Sequence, residues 1–155
     1  MKHDFLYSVE REYSASMADV WHAWTDAAAL ESWYHPADLA NVPGISASEV
    51  RVGGRWSIAV DVPQYSMVAY FFGLYTAIDE HKKLTHTMCY TQDAAEFAAK
   101  DDTAPYHIVG VDFEDRKGKV WVKFSQFGEM PAEQIPQTQA GMESYFDSLE
   151  GFLAN

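Results

Sequence analysis

Residues 141–153 read GMESYFDSLEGFL, and this stretch carries the most regular pattern in the chain. Its large apolar side chains recur at the spacing of one face of an α-helix: Met142, Tyr145, Phe146, Leu149, Phe152 and Leu153. A helix with a single apolar stripe is stable only when that stripe is buried against another element. The pattern therefore predicts a C-terminal helix, beginning near Gln137, that packs on a sheet formed by the earlier residues.

Strand patterns fill much of the chain before this helix. Segments in which apolar and polar residues alternate predict strands at 5–13, 56–62, 84–90, 108–114 and 119–127. The run MVAYFFGLYTAI at 67–78 is apolar on both faces, which predicts a central strand, and Gly73 within it predicts a bulge or bend. Gly53-Gly54 lies between the alternating residues 49–52 and the strand at 56–62, and this predicts a tight hairpin.

Two short helices are expected after the first strand. Ser16, followed three residues later by Asp19, is close to a capping box and begins the first helix. Asp26 caps the second helix, Ala27 to Tyr34, which His35-Pro36 ends because the residue before proline avoids the α region. Residues 92–104 are polar and rich in alanine, so we expect a mobile insertion outside the core, with at most a short helix.

Composition narrows the possible partners and the compartment. The net charge of −12 argues against binding to nucleic acid or to an anionic membrane surface. The single cysteine, Cys89, cannot form an internal disulfide, and the N-terminus has no apolar segment typical of a signal peptide. No run of about 18 apolar residues is present. These features predict a cytoplasmic protein.

Catalytic and metal-binding patterns are missing from the sequence. It contains no GxSxG, HExxH or phosphate loop and no paired cysteines, so we assign no catalytic residue, metal or cofactor. His86 shares a strand face with Leu84 and Met88, and is either a core histidine or a ligand contact. His107 shares a face with Val109. Arg11 interrupts an apolar strand face, either by snorkelling to the rim of the sheet or by meeting a carboxylate or a polar ligand group.

Four segments resemble a known family. VWHAWTDAAALESWY at 20–34 has its aromatic-Thr-Asp step and terminal aromatic pair, VGGRWS at 52–57 has its Gly-Gly hairpin, and FGLYTAID at 72–79 has its strand glycine. Residues 141–153 are similar to its closing helix, with Met142 where many members have tryptophan. The chain thus resembles the START-like (SRPBCC) superfamily and, more narrowly, the family named for the activator of the heat-shock-protein-90 ATPase.

The resemblance implies a fold and a general function. The fold would be a single α+β helix-grip domain over residues 1–155, with a curved antiparallel sheet wrapped around the long C-terminal helix and an apolar cavity between them. Superfamily members bind lipids, hormones or polyketides, and some catalyse cyclisation. We therefore expect a small hydrophobic or aromatic ligand, in a cavity whose candidate contacts are Trp24, Trp33, Trp56, Tyr70, His86, Met88 and Phe146.

Other interpretations stay open. The same aromatic side chains could serve only as core packing. An enzyme of the cyclase or hydrolase type could use the same cavity, or the chain could be a co-chaperone-like interaction protein with a chaperone as partner. A homodimer is also compatible with the sequence.

Overall fold

The computed structural model describes all residues from 1 to 155, and all of its strands belong to one sheet. The strands are β1 (Asp4–Tyr13), β2 (Ala40–Asn41), β3 (Ala47–Ser48), β4 (Arg55–Val62), β5 (Met67–Asp79), β6 (Lys83–Thr91), β7 (His107–Arg116) and β8 (Lys119–Gly128). The helices are α1 (Met17–Thr25), α2 (Ala27–Trp33), α3 (Ala94–Ala99) and α4 (Ile135–Leu153). None of these helices is long and apolar enough to cross a membrane.

The sheet is antiparallel and curls around α4. Its strands follow the order β1-β8-β7-β6-β5-β4-β2, and β3 pairs with β4. A cluster of 26 buried residues fills the space between the concave face, α4 and the helices α1 and α2. The α+β helix-grip fold, with two short helices after the first strand, is confirmed.

Helix α4 closes the core with the predicted apolar stripe. It begins at Ile135, two residues before the expected start, because Pro136 occupies the first turn, where a missing N–H costs nothing. Phe146 and Leu149 are fully buried. Arg11 of β1 fixes the helix at the rim, where its Nη1 lies 2.8 Å from Oδ1 of Asp147. Arg11 therefore meets a carboxylate, but at a half-exposed position rather than inside the core.

The hairpin predicted at Gly53-Gly54 is wider than expected. Residues 49–54 form a loop, and Val50 and Val52, whose alternation predicts a strand, are exposed within it. The loop is nevertheless tight at Gly54, where an added Cβ would lie 2.0 Å from the carbonyl oxygen of Glu49. The glycine pair thus allows a close backbone approach within a longer loop.

Gly73 also serves close approach rather than a bulge. The irregularity between β5 and β6 lies further on, between Tyr75 and Ala77. At Gly73 an added Cβ would lie 1.9 Å from the carbonyl oxygen of Thr87. The Thr87 hydroxyl accepts a hydrogen bond from the next backbone N–H, that of Leu74, at 2.9 Å. A threonine side chain therefore takes part in the ladder here, and only glycine leaves room for it.

Residues 92–104 lie outside the main core, as expected, and pack against the outer face of the sheet. Phe97 of α3 is buried against Phe72 and Cys89 in a small second cluster. Both terminal nitrogens of Arg55 donate to the carboxylate of Asp102, at 2.9 and 2.8 Å. Burial raises the pKa of the Cys89 thiol, which keeps it protonated beneath α3. The segment lies outside the main core, but a bidentate ion pair and an aromatic side chain hold it.

Candidate functional site

A cleft of about 670 Å³ lies between the concave face of the sheet and the first half of α4. Strands β1, β5, β6, β7 and β8 contribute its floor and walls, and the segments at 105–106 and 129–134 border it. Its lining is rich in aromatic and sulfur-containing side chains, among them Tyr7, Tyr34, Phe71, Met88, Tyr90, Tyr106, Met130, Met142 and Tyr145. Its volume is in the range usual for small-molecule sites.

Thr138 and Gly141 of α4 line the cleft, whereas larger buried side chains follow further along the helix. Phe146 and Leu149 fill the space under the second half. Gly141 faces the cleft, and a Cβ added there would meet no atom within 4 Å. Helix α4 therefore crosses the sheet along its whole length but fills the interior only under its second half.

Aromatic pairs hold the walls of the cleft in fixed orientations. The rings of Tyr34 and Tyr145 meet edge to face, with centroids 5.0 Å apart. Phe71 and Tyr90 lie on adjacent strands, with centroids 5.2 Å apart. Such arrangements stabilise aromatic pairs beyond the burial of their surface. The lining is thus largely preformed.

A chain of hydrogen bonds crosses one side of the cleft. The Tyr7 hydroxyl donates to Oε1 of Gln126 at 2.6 Å. The amide nitrogen of Gln126 lies 2.7 Å from Nδ1 of His107, and Nε2 of His107 lies 3.1 Å from the carbonyl oxygen of Glu129. Because Oε1 of Gln126 is already an acceptor, its amide N–H donates to Nδ1, and Nε2–H of His107 donates to Glu129. Both imidazole nitrogens are therefore occupied within the protein.

Gly128 allows His107 to reach this position. A Cβ added at Gly128 would lie 2.4 Å from Cδ2 and 2.6 Å from Cγ of the His107 ring. The imidazole therefore rests directly on the backbone at the end of β8. This close approach fixes His107 beside Gln126, which is buried.

The tyrosines deep in the cleft are neutral hydrogen-bonding groups. Burial raises the pKa of Tyr7, Tyr34 and Tyr145, and each effect is strengthened by a neighbouring tyrosine. All three hydroxyls therefore keep their protons at neutral pH. The charged side chains that line the cleft are Lys2 and Glu129.

Only Met88 among the sequence-predicted contacts lines this cleft. Trp24, Trp33, Trp56 and Phe146 belong to the main core, where they pack against one another and against other protein side chains. Trp33, for example, is fully buried and donates from Nε1 to the carbonyl oxygen of Ala23 at 2.7 Å. Their large apolar surfaces contact other protein side chains. These positions fit the alternative interpretation, that the residues serve as core packing.

The remaining two candidates, Tyr70 and His86, lie elsewhere. Tyr70 stacks on Phe97 at the outer face of the sheet, with centroids 4.7 Å apart. His86 points inward and stacks on Trp56, with centroids 4.0 Å apart, while Nδ1–H donates to the carbonyl oxygen of Thr87 at 2.7 Å. Burial lowers the pKa of His86 to about 4, so it is a neutral core histidine at physiological pH.

Sequence reasoning missed most of the residues that line the cleft. Alternation puts Tyr7 on the apolar face of the first strand, and Tyr34 belongs to a terminal aromatic pair, but neither pattern marks a ligand contact. His107 shares a face with Val109 in the sequence pattern, and it does face inward at the cleft. Gly141, an interruption in an otherwise bulky stripe, is the available signal for the open end of the grip. No group of three His, Cys, Asp or Glu side chains is placed to hold a metal ion.

Comparisons with known proteins agree with this architecture. The sequence model of the family described as Activator of Hsp90 ATPase homolog 1-like protein matches residues 14–154. A solution structure from Staphylococcus epidermidis is 26% identical, with a TM-score of 0.76, over 95% of this chain and 88% of that one. A solution structure from Arthrobacter aurescens is 18% identical, with a TM-score of 0.78, over 95% and 84%.

A crystal structure of the Chromobacterium violaceum protein CV1439 is 17% identical, with a TM-score of 0.75, and covers 96% of both chains. At 17 and 18% identity the likeness establishes the fold alone. No protein with a curated description matches the sequence.

Proposed function

The chain belongs to the Activator of Hsp90 ATPase homolog 1-like family, and from this membership and the geometry of the cleft we propose that it binds a small, largely apolar molecule. The observation that carries the proposal is the cleft of about 670 Å³, lined by tyrosine, phenylalanine and methionine side chains beside a filled core. Sites of this kind are mostly apolar, with a few polar groups that orient the ligand.

The arrangement of polar groups supports binding rather than catalysis. A general base needs a ring nitrogen or carboxylate free to accept the proton of a substrate. Both nitrogens of His107 are occupied, by Gln126 and by the carbonyl oxygen of Glu129. His86 is sealed against Trp56 in the core, and Glu129, the carboxylate that lines the cleft, is exposed at its border. We therefore place binding ahead of a cyclase or hydrolase activity in the same cleft.

A thermal-shift screen with hydrophobic and aromatic metabolites tests the proposal. A ligand at about 100 times its Kd should stabilise the fold by about 2.7 kcal/mol, which raises the Tm by several degrees. Gly141→Leu should abolish the shift, since its side chain would project into the cleft without meeting the protein at Cβ. Gly151→Leu is the matched control, because Gly151 lies on the same helix, also has open space at Cβ and does not line the cleft.

Two results would contradict the proposal. One is the absence of any stabilising compound in a broad screen of the wild type. The other is a Tm shift of equal size in the wild type and in Gly141→Leu, which would place the ligand outside the cleft.

The family description names a second candidate function, the activation of the Hsp90 ATPase. The ATPase rate of Hsp90 with and without an excess of this chain separates the two. A reproducible acceleration would favour the interaction protein, whereas our proposal expects an unchanged rate.

A further inference from the structure

Two tyrosine hydroxyls in the cleft have no hydrogen-bond partner within the chain. Tyr34 is 3% exposed, and its ring is held edge to face between Trp56 and Tyr145. Both residues line the cleft, and the hydroxyls of Tyr34 and Tyr145 remain accessible from it. Both hydroxyls are therefore free to donate a hydrogen bond to a ligand atom in the cleft.

Three nearby tyrosine hydroxyls, in contrast, have hydrogen-bond partners within the chain. The Tyr7 hydroxyl is committed to Gln126 at 2.6 Å, and the Tyr75 hydroxyl lies 2.7 Å from the Ser48 hydroxyl. The Tyr90 hydroxyl, on the exposed side of the cleft, accepts from the amide of Gln92 at 2.7 Å. Tyr34 and Tyr145 are thus two neighbouring tyrosines of the cleft, with rings in contact, whose hydroxyls are not committed to a protein group.

The electrostatics of this region select against a charged ligand group. No arginine lines the cleft, and its one lysine, Lys2, lies in the exposed N-terminal segment. A carboxylate beside Tyr34 and Tyr145 would have no arginine to pair with and would be repelled by a chain whose net charge is −12. A carbonyl oxygen can accept from two hydroxyls through its two lone pairs and carries no net charge.

We propose that Tyr34 and Tyr145 bind the carbonyl oxygen of an uncharged aromatic molecule whose rings pack against Phe71, Met88 and Met142. This inference rests on the proposed function and adds the chemical class of the ligand. It predicts that the cleft binds such a molecule more tightly than either a charged or a purely apolar analogue. A carboxylate of the same shape is excluded by its charge, and a hydrocarbon of the same shape leaves the two hydroxyls without a partner.

Three matched naphthalenes test the class. Acetylnaphthalene, naphthoate and isopropylnaphthalene carry substituents of similar size at the same ring position, but only the first is an uncharged carbonyl compound. Displacement of a bound fluorescent probe gives the Kd of each for the wild type. We expect acetylnaphthalene to bind about 10-fold more tightly than either of the others, as two hydrogen bonds of ordinary strength would provide.

Single hydroxyl deletions assign the preference to residues. Tyr34→Phe and Tyr145→Phe should each weaken acetylnaphthalene by roughly 3- to 10-fold and leave isopropylnaphthalene unchanged. Tyr70→Phe is the matched control, since it removes a tyrosine hydroxyl at the outer face of the sheet, away from the cleft. It should leave the preference intact.

The outcomes separate this inference from the proposed function. If all three compounds bind equally to the wild type and Gly141→Leu blocks them, the cleft binds ligands and the carbonyl preference is overturned. The assignment to these two hydroxyls is likewise overturned if Tyr34→Phe and Tyr145→Phe both retain the preference. If none of the three binds the wild type, the aromatic carbonyl class is overturned, whereas the proposed site is overturned only if the broad thermal-shift screen also yields no stabilising compound.

Discussion

Acidification from pH 7 to pH 5 should destabilise the fold through His86. Its imidazole is buried between Trp56 and Tyr75, donates to the carbonyl oxygen of Thr87, and has its pKa lowered to about 4 by that burial. In the unfolded chain a histidine has a pKa of about 6.5. Between these two values the unfolded state binds a proton that the folded state excludes, so the free energy of unfolding falls as the pH falls.

The size of the effect follows from the two pKa values. For one group that titrates at about 4 when folded and about 6.5 when unfolded, the loss between pH 7 and pH 5 is about 2 kcal/mol, rising to about 3 kcal/mol below pH 4. Urea unfolding followed by tryptophan fluorescence at several pH values measures it. His86→Gln keeps a side-chain N–H that can donate to Thr87 but does not titrate. Between pH 7 and pH 5 the free energy of unfolding of this variant should therefore fall by about 2 kcal/mol less than that of the wild type.

A second variant separates His86 from the other histidines. His22 lies on the exposed side of α1, with 61% of its side chain accessible, so His22→Gln should keep the pH dependence of the wild type. Equal losses in the wild type and in His86→Gln between pH 7 and pH 5 would refute the reasoning. Such a result would mean that the imidazole of His86 is hydrated, or that it takes up a proton within the folded protein.

Three further outcomes follow from the packing. Leu149→Ala should lower the free energy of unfolding by about 2–5 kcal/mol, because a fully buried side chain of α4 is removed; an unchanged urea midpoint would contradict this. Asp102→Asn should speed tryptic cleavage after Lys100, since residues 92–104 lose their ion pair; an unchanged cleavage rate would show that Phe97 alone holds the segment. Gly141→Ala should raise the free energy of unfolding by about 0.5–1 kcal/mol, measured by the same urea titration, and a lower value would show hidden strain.

Local periodicity made the architecture predictable. The stripe of α4 and the alternation of the strands depend on residues a few positions apart, which the sequence displays directly. Gly73 shows the limit of such reasoning. Its requirement comes from the carbonyl oxygen of Thr87 on the next strand, so a glycine whose pattern predicts a bulge is instead a point of close approach.

The site was less predictable because alternation shows which side chains face inward but not what they meet there. Trp24, Trp33 and Trp56 face inward and meet one another or other core residues. The cleft instead includes the open space at Gly141, and its lining is held by partners far apart in sequence. The hydrogen bond from Tyr7 to Gln126 joins residues 119 positions apart, a pairing that no local pattern displays.

The second apolar cluster has a consequence for the hydrogen exchange of the central strands. Phe72 of β5 and Cys89 of β6 are paired across the ladder and covered by Phe97, and both strands lie inside the sheet with a neighbouring strand on either side. Their backbone amides are therefore shielded from both sides, unlike those of the two-residue edge strand β2. Deuterium should enter β2 through local fraying, whereas it should reach the middle of β5 and β6 only when the whole domain opens. The slowest amides there would thus report the free energy of global unfolding.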